Sequence, residues 1–218
     1  KPKSWAFRLG SRNSSFVHYW KKPCCRILVQ LYTLWGFVPS CHAGNRKNSA
    51  EIEIYSINEC FVRLTGALAT NADNVAREIR AMVLKWIGLP VSIGIAPTKT
   101  LAKIATMVAK KYPAHEGIFN MSKSRKINQI LECTHISDIW GVGHKGSLKL
   151  RTIGIDNARQ MRDADPMEIK KLLTVTGLNT QMELNGIPSI REEIPVSHNT
   201  IISSRSLGYK VSTLEPMR

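Results

Sequence analysis

Glu51-Ile-Glu-Ile-Tyr-Ser-Ile57 alternates polar and apolar residues with a period of two, the pattern of a half-buried strand. Cys60-Phe-Val-Arg-Leu64 continues as a second extended run ending at Thr65-Gly66, so the two predict a hairpin or a bent strand. The period then changes. Asn71 offers a helix N-cap, Val75, Ile79, Met82, Val83 and Trp86 recur at helical spacing, and Gly88-Leu89-Pro90 supplies the stop. This predicts an amphipathic helix of about four turns. Val91-Ser-Ile-Gly-Ile95 reads as a short buried strand whose Gly94 permits close approach. Pro97-Thr98 opens a second helix, with Leu101, Ile104, Ala105 and Val108 on one face and Lys99, Lys103, Lys110 and Lys111 on the others. Gly117-Ile-Phe-Asn-Met121 is a further strand. The order strand, strand, helix, strand, helix, strand predicts the α+β class, with helices layered on a mixed sheet.

The second half reads as helical. A helix near Gln129, the turn Gly141-Val142-Gly143, a second helix carrying Lys145 and Lys149, and a turn at Gly154 have the order of a helix-hairpin-helix. Such glycines let backbone N–H groups face a DNA phosphate, while the lysines add charge attraction that does not depend on base sequence. Ala164-Asp165-Pro166 starts another short helix with Ile169, Leu172 and Leu173.

Charge sharpens this picture. The 218 residues carry 31 Lys and Arg against 16 Asp and Glu, a formal net charge of +15 that favours a polyanionic partner such as nucleic acid. Residues 1–50 contain no acid at all, but include Lys1, Lys3, Arg8, Arg12, Lys21, Lys22, Arg26, Arg46 and Lys47, so much of the excess sits in this head. The head admits three readings: a transit-type sequence, a disordered basic arm for DNA phosphates, or out-of-frame translation, the last also suggested by a start at Lys1 rather than Met. No apolar run approaches the roughly 18 residues needed to span a bilayer, Ile27 to Val38 being interrupted by Gln30, Thr33 and Gly36. Cys24 and Cys25 are adjacent and the cysteines have neither a disulfide framework nor zinc-finger spacing, so a reducing, cytoplasmic setting is expected.

Two segments carry a family resemblance. Ser92-Ile-Gly-Ile-Ala-Pro-Thr-Lys-Thr-Leu-Ala-Lys-Ile-Ala105 resembles the nucleotide-binding strand and helix of Y-family translesion DNA polymerases of the UmuC type. Glu53-Ile-Tyr-Ser-Ile-Asn-Glu-Cys-Phe61 followed by Leu64-Thr65-Gly66 resembles that family's palm motif, whose usual core is Ser-Ile-Asp-Glu. The resemblance covers about residues 51–218. It implies a partial palm over 51–121, a small helical thumb with the helix-hairpin-helix over 122–190, and over 191–218 a connector into a truncated little finger, with 1–50 an unmatched head.

The resemblance further implies Asn58 and Glu59 at the catalytic, metal-binding position, with Thr98, Lys99 and Lys103 toward the incoming nucleotide. It implies Gly141, Val142, Gly143, Lys145 and Lys149 against DNA, Mg²⁺ as cofactor, and primer-template DNA, a deoxynucleoside triphosphate and accessory SOS proteins as partners. Two points depart from the family pattern. Asn58 stands where the motif has Asp, and the Asp-x-Asn-x-Phe-Tyr strand that opens the palm is not found. Mg²⁺ prefers carboxylates, and Glu51 and Glu53 are expected to lie solvated on the opposite face of the strand. Catalysis is therefore expected to be impaired. A noncatalytic, sequence-independent DNA-binding module and a degenerate product without selected activity are the alternatives, and a sheet lacking its central strand is expected to be unstable.

Overall fold

The computed structural model describes residues 24–30, 50–56 and 59–191. Among these, β2 (Ala50–Ser56) and β3 (Glu59–Thr65) form the expected antiparallel hairpin, with Ile52 opposite Val62, Ile54 opposite Cys60 and an irregularity between Ile54 and Ser56. The alternation that predicted the strands also sorts their faces. Cys60, Val62 and Leu64 lie in one core and Phe61 in the other.

The central strand comes from the head. β1 (Cys24–Gln30) lies between β3 and β4 (Ser92–Ala96) in the sheet order β2-β3-β1-β4-β5, antiparallel to both neighbours. The sheet is thus not missing its middle strand, as the sequence alone suggested. Arg26-Ile-Leu-Val29 is a short run rich in β-branched and other apolar residues, which suits a strand paired on both edges. β5 (Ile118–Asn120) closes the sheet parallel to β4.

Helices cover both faces. After the single turn α1 (Ala67–Thr70), α2 (Ala72–Ile87) buries Ala76 and Val83 in the same core as Val62, Leu64, Ile93 and Ile95, and ends on Gly88 in the left-handed conformation. In its first turn Asp73 pairs with Lys123 and accepts from Asn120 at 2.9 Å. Burial pushes the Asp73 carboxyl up, but hydrogen bonds from Lys123 and Asn120 and the charges of Lys123 and Arg77 together hold it below the usual carboxylate range.

α3 (Lys99–Lys111) lies on the opposite face. A Cβ on Gly94 would overlap the Ala102 carbonyl, the Thr106 amide and the Thr106 hydroxyl, so the glycine is what lets α3 reach the sheet. Leu101, Ile104 and Ala105 then join one continuous core with residues from the remaining helices.

Those helices are α4 (Ile127–Cys133), α5 (His144–Arg151), α6 (Ala158–Asp163) and α7 (Pro166–Leu184). α6 was not anticipated, though its capping box was legible: Asn157 Oδ1 accepts from the Gln160 amide and Gln160 reaches back to the Asn157 amide. α7 is longer than the short helix expected. It breaks its geometry at Thr174 (φ 63°, ψ −161°), where Thr-Val-Thr-Gly interrupts the apolar spacing, and then resumes. No helix among the described residues is long and apolar enough to cross a membrane.

Candidate active site and nucleic-acid interface

Glu59 opens β3, and Lys103 projects from the second turn of α3 toward it. The Lys103 ammonium lies 2.7 Å from Glu59 Oε2, with both side chains less than one fifth exposed. Aromatic rings close round the pair: Lys103 Nζ is 4.2 Å from the Tyr55 ring centroid and 5.2 Å from that of Trp140. Trp140 Nε1 donates to the Tyr55 hydroxyl at 2.8 Å, and the two rings meet edge to face at 5.2 Å. Two strands, the helix laid over them and the loop before α5 therefore contribute to one part-buried polar cluster. Its low exposure strengthens both the ion pair and the cation–π contacts.

Of the expected residues, the structure brings Glu59 and Lys103 together, while Asn58 lies outside the described residues. Thr98 caps the helix, and Lys99 lies against the same aromatic cluster, its Nζ 5.4 Å from the Phe61 ring centroid, which is itself 5.8 Å from that of Trp140. Thr98 is fully buried as the N-cap of α3, with its hydroxyl donating to the Glu183 carbonyl at 2.8 Å and accepting from the Leu101 amide at 3.4 Å. Lys99, 1% exposed, pairs with Glu53 at 2.6 Å and donates to the Arg191 carbonyl at 3.0 Å. The expectation that Glu53 is solvated is thus corrected. Glu53 and Tyr55 share a face of β2, and α3 covers that face.

Glu183 was not anticipated. Fully buried in the last turn of α7, it accepts from the Thr100 amide at 2.8 Å through one oxygen and from the Ser189 and Ile190 amides at 3.2 and 3.3 Å through the other. It closes the N-terminus of α3 from a different helix, where the helix dipole favours an anion. Nothing local in the sequence marks it, because its partner in α3 is 83 residues away.

The structure separates the expected DNA-facing residues by role. Gly141, with φ +87°, needs glycine: an added Cβ would also lie 2.7 Å from Thr180 Oγ1. Val142 is core, 4% exposed. Gly143 has an ordinary φ of −69° and begins α5 without a side-chain cap. Gly143, His144, Lys145 and Lys149 are exposed; the start of α5 presents backbone and the Lys145 charge, while Lys149 stands in its last turn and donates to the Leu172 carbonyl at 3.5 Å. Between α4 and α5 stand a 3-10 turn (Ile136–Asp138) and the Gly141 turn.

Comparison with known proteins locates this arrangement. Residues 42–107, from before β2 into α3, match the impB/mucB/samB family model. Protein UmuC of Salmonella typhimurium is 39% identical over 170 residues, covering 77% of this chain and 40% of its own length. Protein MucB of Escherichia coli is 33% identical over 190 residues, covering 86% and 45%, and DNA polymerase IV 1 of Bacillus subtilis 33% identical over 158 residues, covering 72% and 36%. The chain spans less than half the length of these relatives. A DinB family error-prone DNA polymerase from Sulfolobus solfataricus superposes with a TM-score of 0.51 at 24% identity, covering 66% of this chain and 43% of that one, which establishes a shared fold.

Proposed function

We propose, on the premise that this chain belongs to the UmuC-type branch (impB/mucB/samB) of the Y-family DNA polymerases, that it holds primer-template DNA and a nucleotide but transfers nucleotides poorly. The observation that supports this reading is the pairing of Lys103 with Glu59 inside the segment matched by the family. Lys103 is placed to exchange the Glu59 carboxylate for a phosphate of an incoming deoxynucleoside triphosphate, an anion of the same sign and stronger charge.

The same pocket argues against full catalysis. Nucleotidyl transfer by two Mg²⁺ ions requires clustered carboxylates to hold the ions about 4 Å apart. Here Glu59 is met by Lys103, and Glu53 is committed to Lys99. Asn58 carries no negative charge, and the β1 position opposite Glu59 is Gln30, another amide. This donor set does not fit a two-metal centre, and we assign none.

DNA contact is assigned to the exposed turn and helix at Gly143, His144, Lys145 and Lys149, in the manner of a helix-hairpin-helix, with a cytoplasmic location and accessory SOS partners following from the family. The test is fluorescence anisotropy of a labelled primer-template against the full chain over a KCl series. The logarithm of affinity is expected to fall with the logarithm of salt with a slope of roughly −3, as for a few phosphate contacts. Lys145→Ala should make that slope shallower by about one, whatever the DNA sequence. A slope near zero, or one unmoved in both Lys145→Ala and Lys149→Ala, would refute the assignment.

A further inference from the structure

One and two turns beyond Lys103, Met107 and Lys111 of α3 border a second cavity, of about 500 Å³, between that helix, the turn Pro113–His115 and α4. Its volume lies in the range of small-molecule sites. Three rings form an aromatic wall: Tyr112 and His115 meet edge to face at 6.3 Å, while His115 and Phe119 stand 4.7 Å apart. Tyr112 is 49% exposed, a large apolar surface left uncovered on one side of the cavity. Lys111 and Lys126 line the same space, both exposed, and neither forms an ion pair among the described residues.

The lining restricts the chemistry of a ligand. Lys111 Nζ stands 5.8 Å from the Tyr112 ring centroid, so cation and ring adjoin; an apolar molecule would leave the Lys126 ammonium unused, and a free phosphate would leave the rings unused. A ligand that satisfies both carries a flat ring and an anion together. Asp138 and Gln129 also line the cavity and offer an acceptor and an amide, which a heteroaromatic edge with amino and carbonyl groups can use.

The geometry points to a binding site for one nucleotide unit, with its base against Tyr112, His115 and Phe119 and its phosphate at Lys111 and Lys126. Base–aromatic stacking and lysine–phosphate attraction are the usual terms for such a unit, whether free or within a single strand. The site is separate from the Glu59–Lys103 pocket and does not rest on the polymerase reading.

Isothermal titration of the full chain with AMP, adenosine, inorganic phosphate, indole-3-acetate and the 5′-phosphorylated tetranucleotide of deoxyadenosine tests it. AMP is expected to bind at least tenfold tighter than adenosine, phosphate or indole-3-acetate. The Lys111→Ala/Lys126→Ala double variant should weaken AMP by about tenfold or more, and Tyr112→Ala by roughly tenfold, the value of one stacked base. All three substituted residues are exposed, so the fold should survive. Lys85→Ala, at an exposed lysine of α2 outside the cavity, should leave AMP affinity unchanged. Tighter binding of the tetranucleotide than of AMP would identify a single strand as the source, and equal or weaker binding a free nucleotide. AMP binding that is absent, matched by indole-3-acetate, insensitive to the cavity variants, or lost with Lys85→Ala would overturn the inference.

Discussion

Glu183→Ala is expected to lower the thermal unfolding midpoint by roughly 10 °C, for a loss of about 3–5 kcal/mol. The carboxylate is fully buried and is the acceptor for three backbone amides, those of Thr100, Ser189 and Ile190. Alanine would leave these donors without a partner in an interior where each unmade bond costs about 1–3 kcal/mol. It would also remove the anion that closes α3, while the Thr98 bond to the residue 183 carbonyl would remain. Glu183→Gln keeps the shape and one carbonyl oxygen but points an NH₂ group at amide donors, so its loss should fall between alanine and wild type. Both variants are read by circular dichroism melting of the full chain. A Glu183→Ala protein melting within about 2 °C of wild type would show that α7 and α3 are not joined through this group.

Gly94→Ala should be comparably damaging, by about 3 kcal/mol, although it adds one methyl group. Gly94 is a buried residue of β4, opposite Leu28 on one side and Phe119 on the other. Its added Cβ would overlap the Ala102 carbonyl and Thr106 amide, which are helix backbone and cannot rotate away. Relief requires α3 to lift from the sheet, taking Lys103 away from Glu59. Urea denaturation would measure the cost, and a midpoint equal to wild type would contradict the close packing of α3 on β4.

The two substitutions differ in how far the sequence foretold them. Gly94 was legible because it sits in an apolar run directly before a helix start, where a glycine signals close approach. Glu59 and Lys103 were legible as members of two segments with a family resemblance, and their meeting follows from laying α3 over the hairpin. Glu183 was not legible: its partners lie in another helix and a loop, and no local pattern marks a carboxylate that will be buried. Glu53 was misjudged because strand alternation tells which residues share a face but not what covers that face. β1 was passed over because the residues around Ile27–Val29 are basic, cysteine-rich and free of acid, and that composition drew attention away from a short apolar run. The helical second half divides similarly. The capping box at Asn157 was present to be read, whereas the burial of Val142 between two exposed glycines depends on the packing of α5 against the rest of the core.

The proposed function is that this chain, with its shared polymerase fold, holds DNA while the carboxylate set at Glu59 does not support efficient nucleotidyl transfer. Primer extension on a 5′-labelled primer-template tests it most directly, at protein concentrations where anisotropy shows the DNA bound, with Mg²⁺ or Mn²⁺ and all four deoxynucleoside triphosphates. The account predicts bound DNA with little or no template-directed extension. Rapid template-directed extension to the template's end that disappears in Glu59→Ala would contradict it.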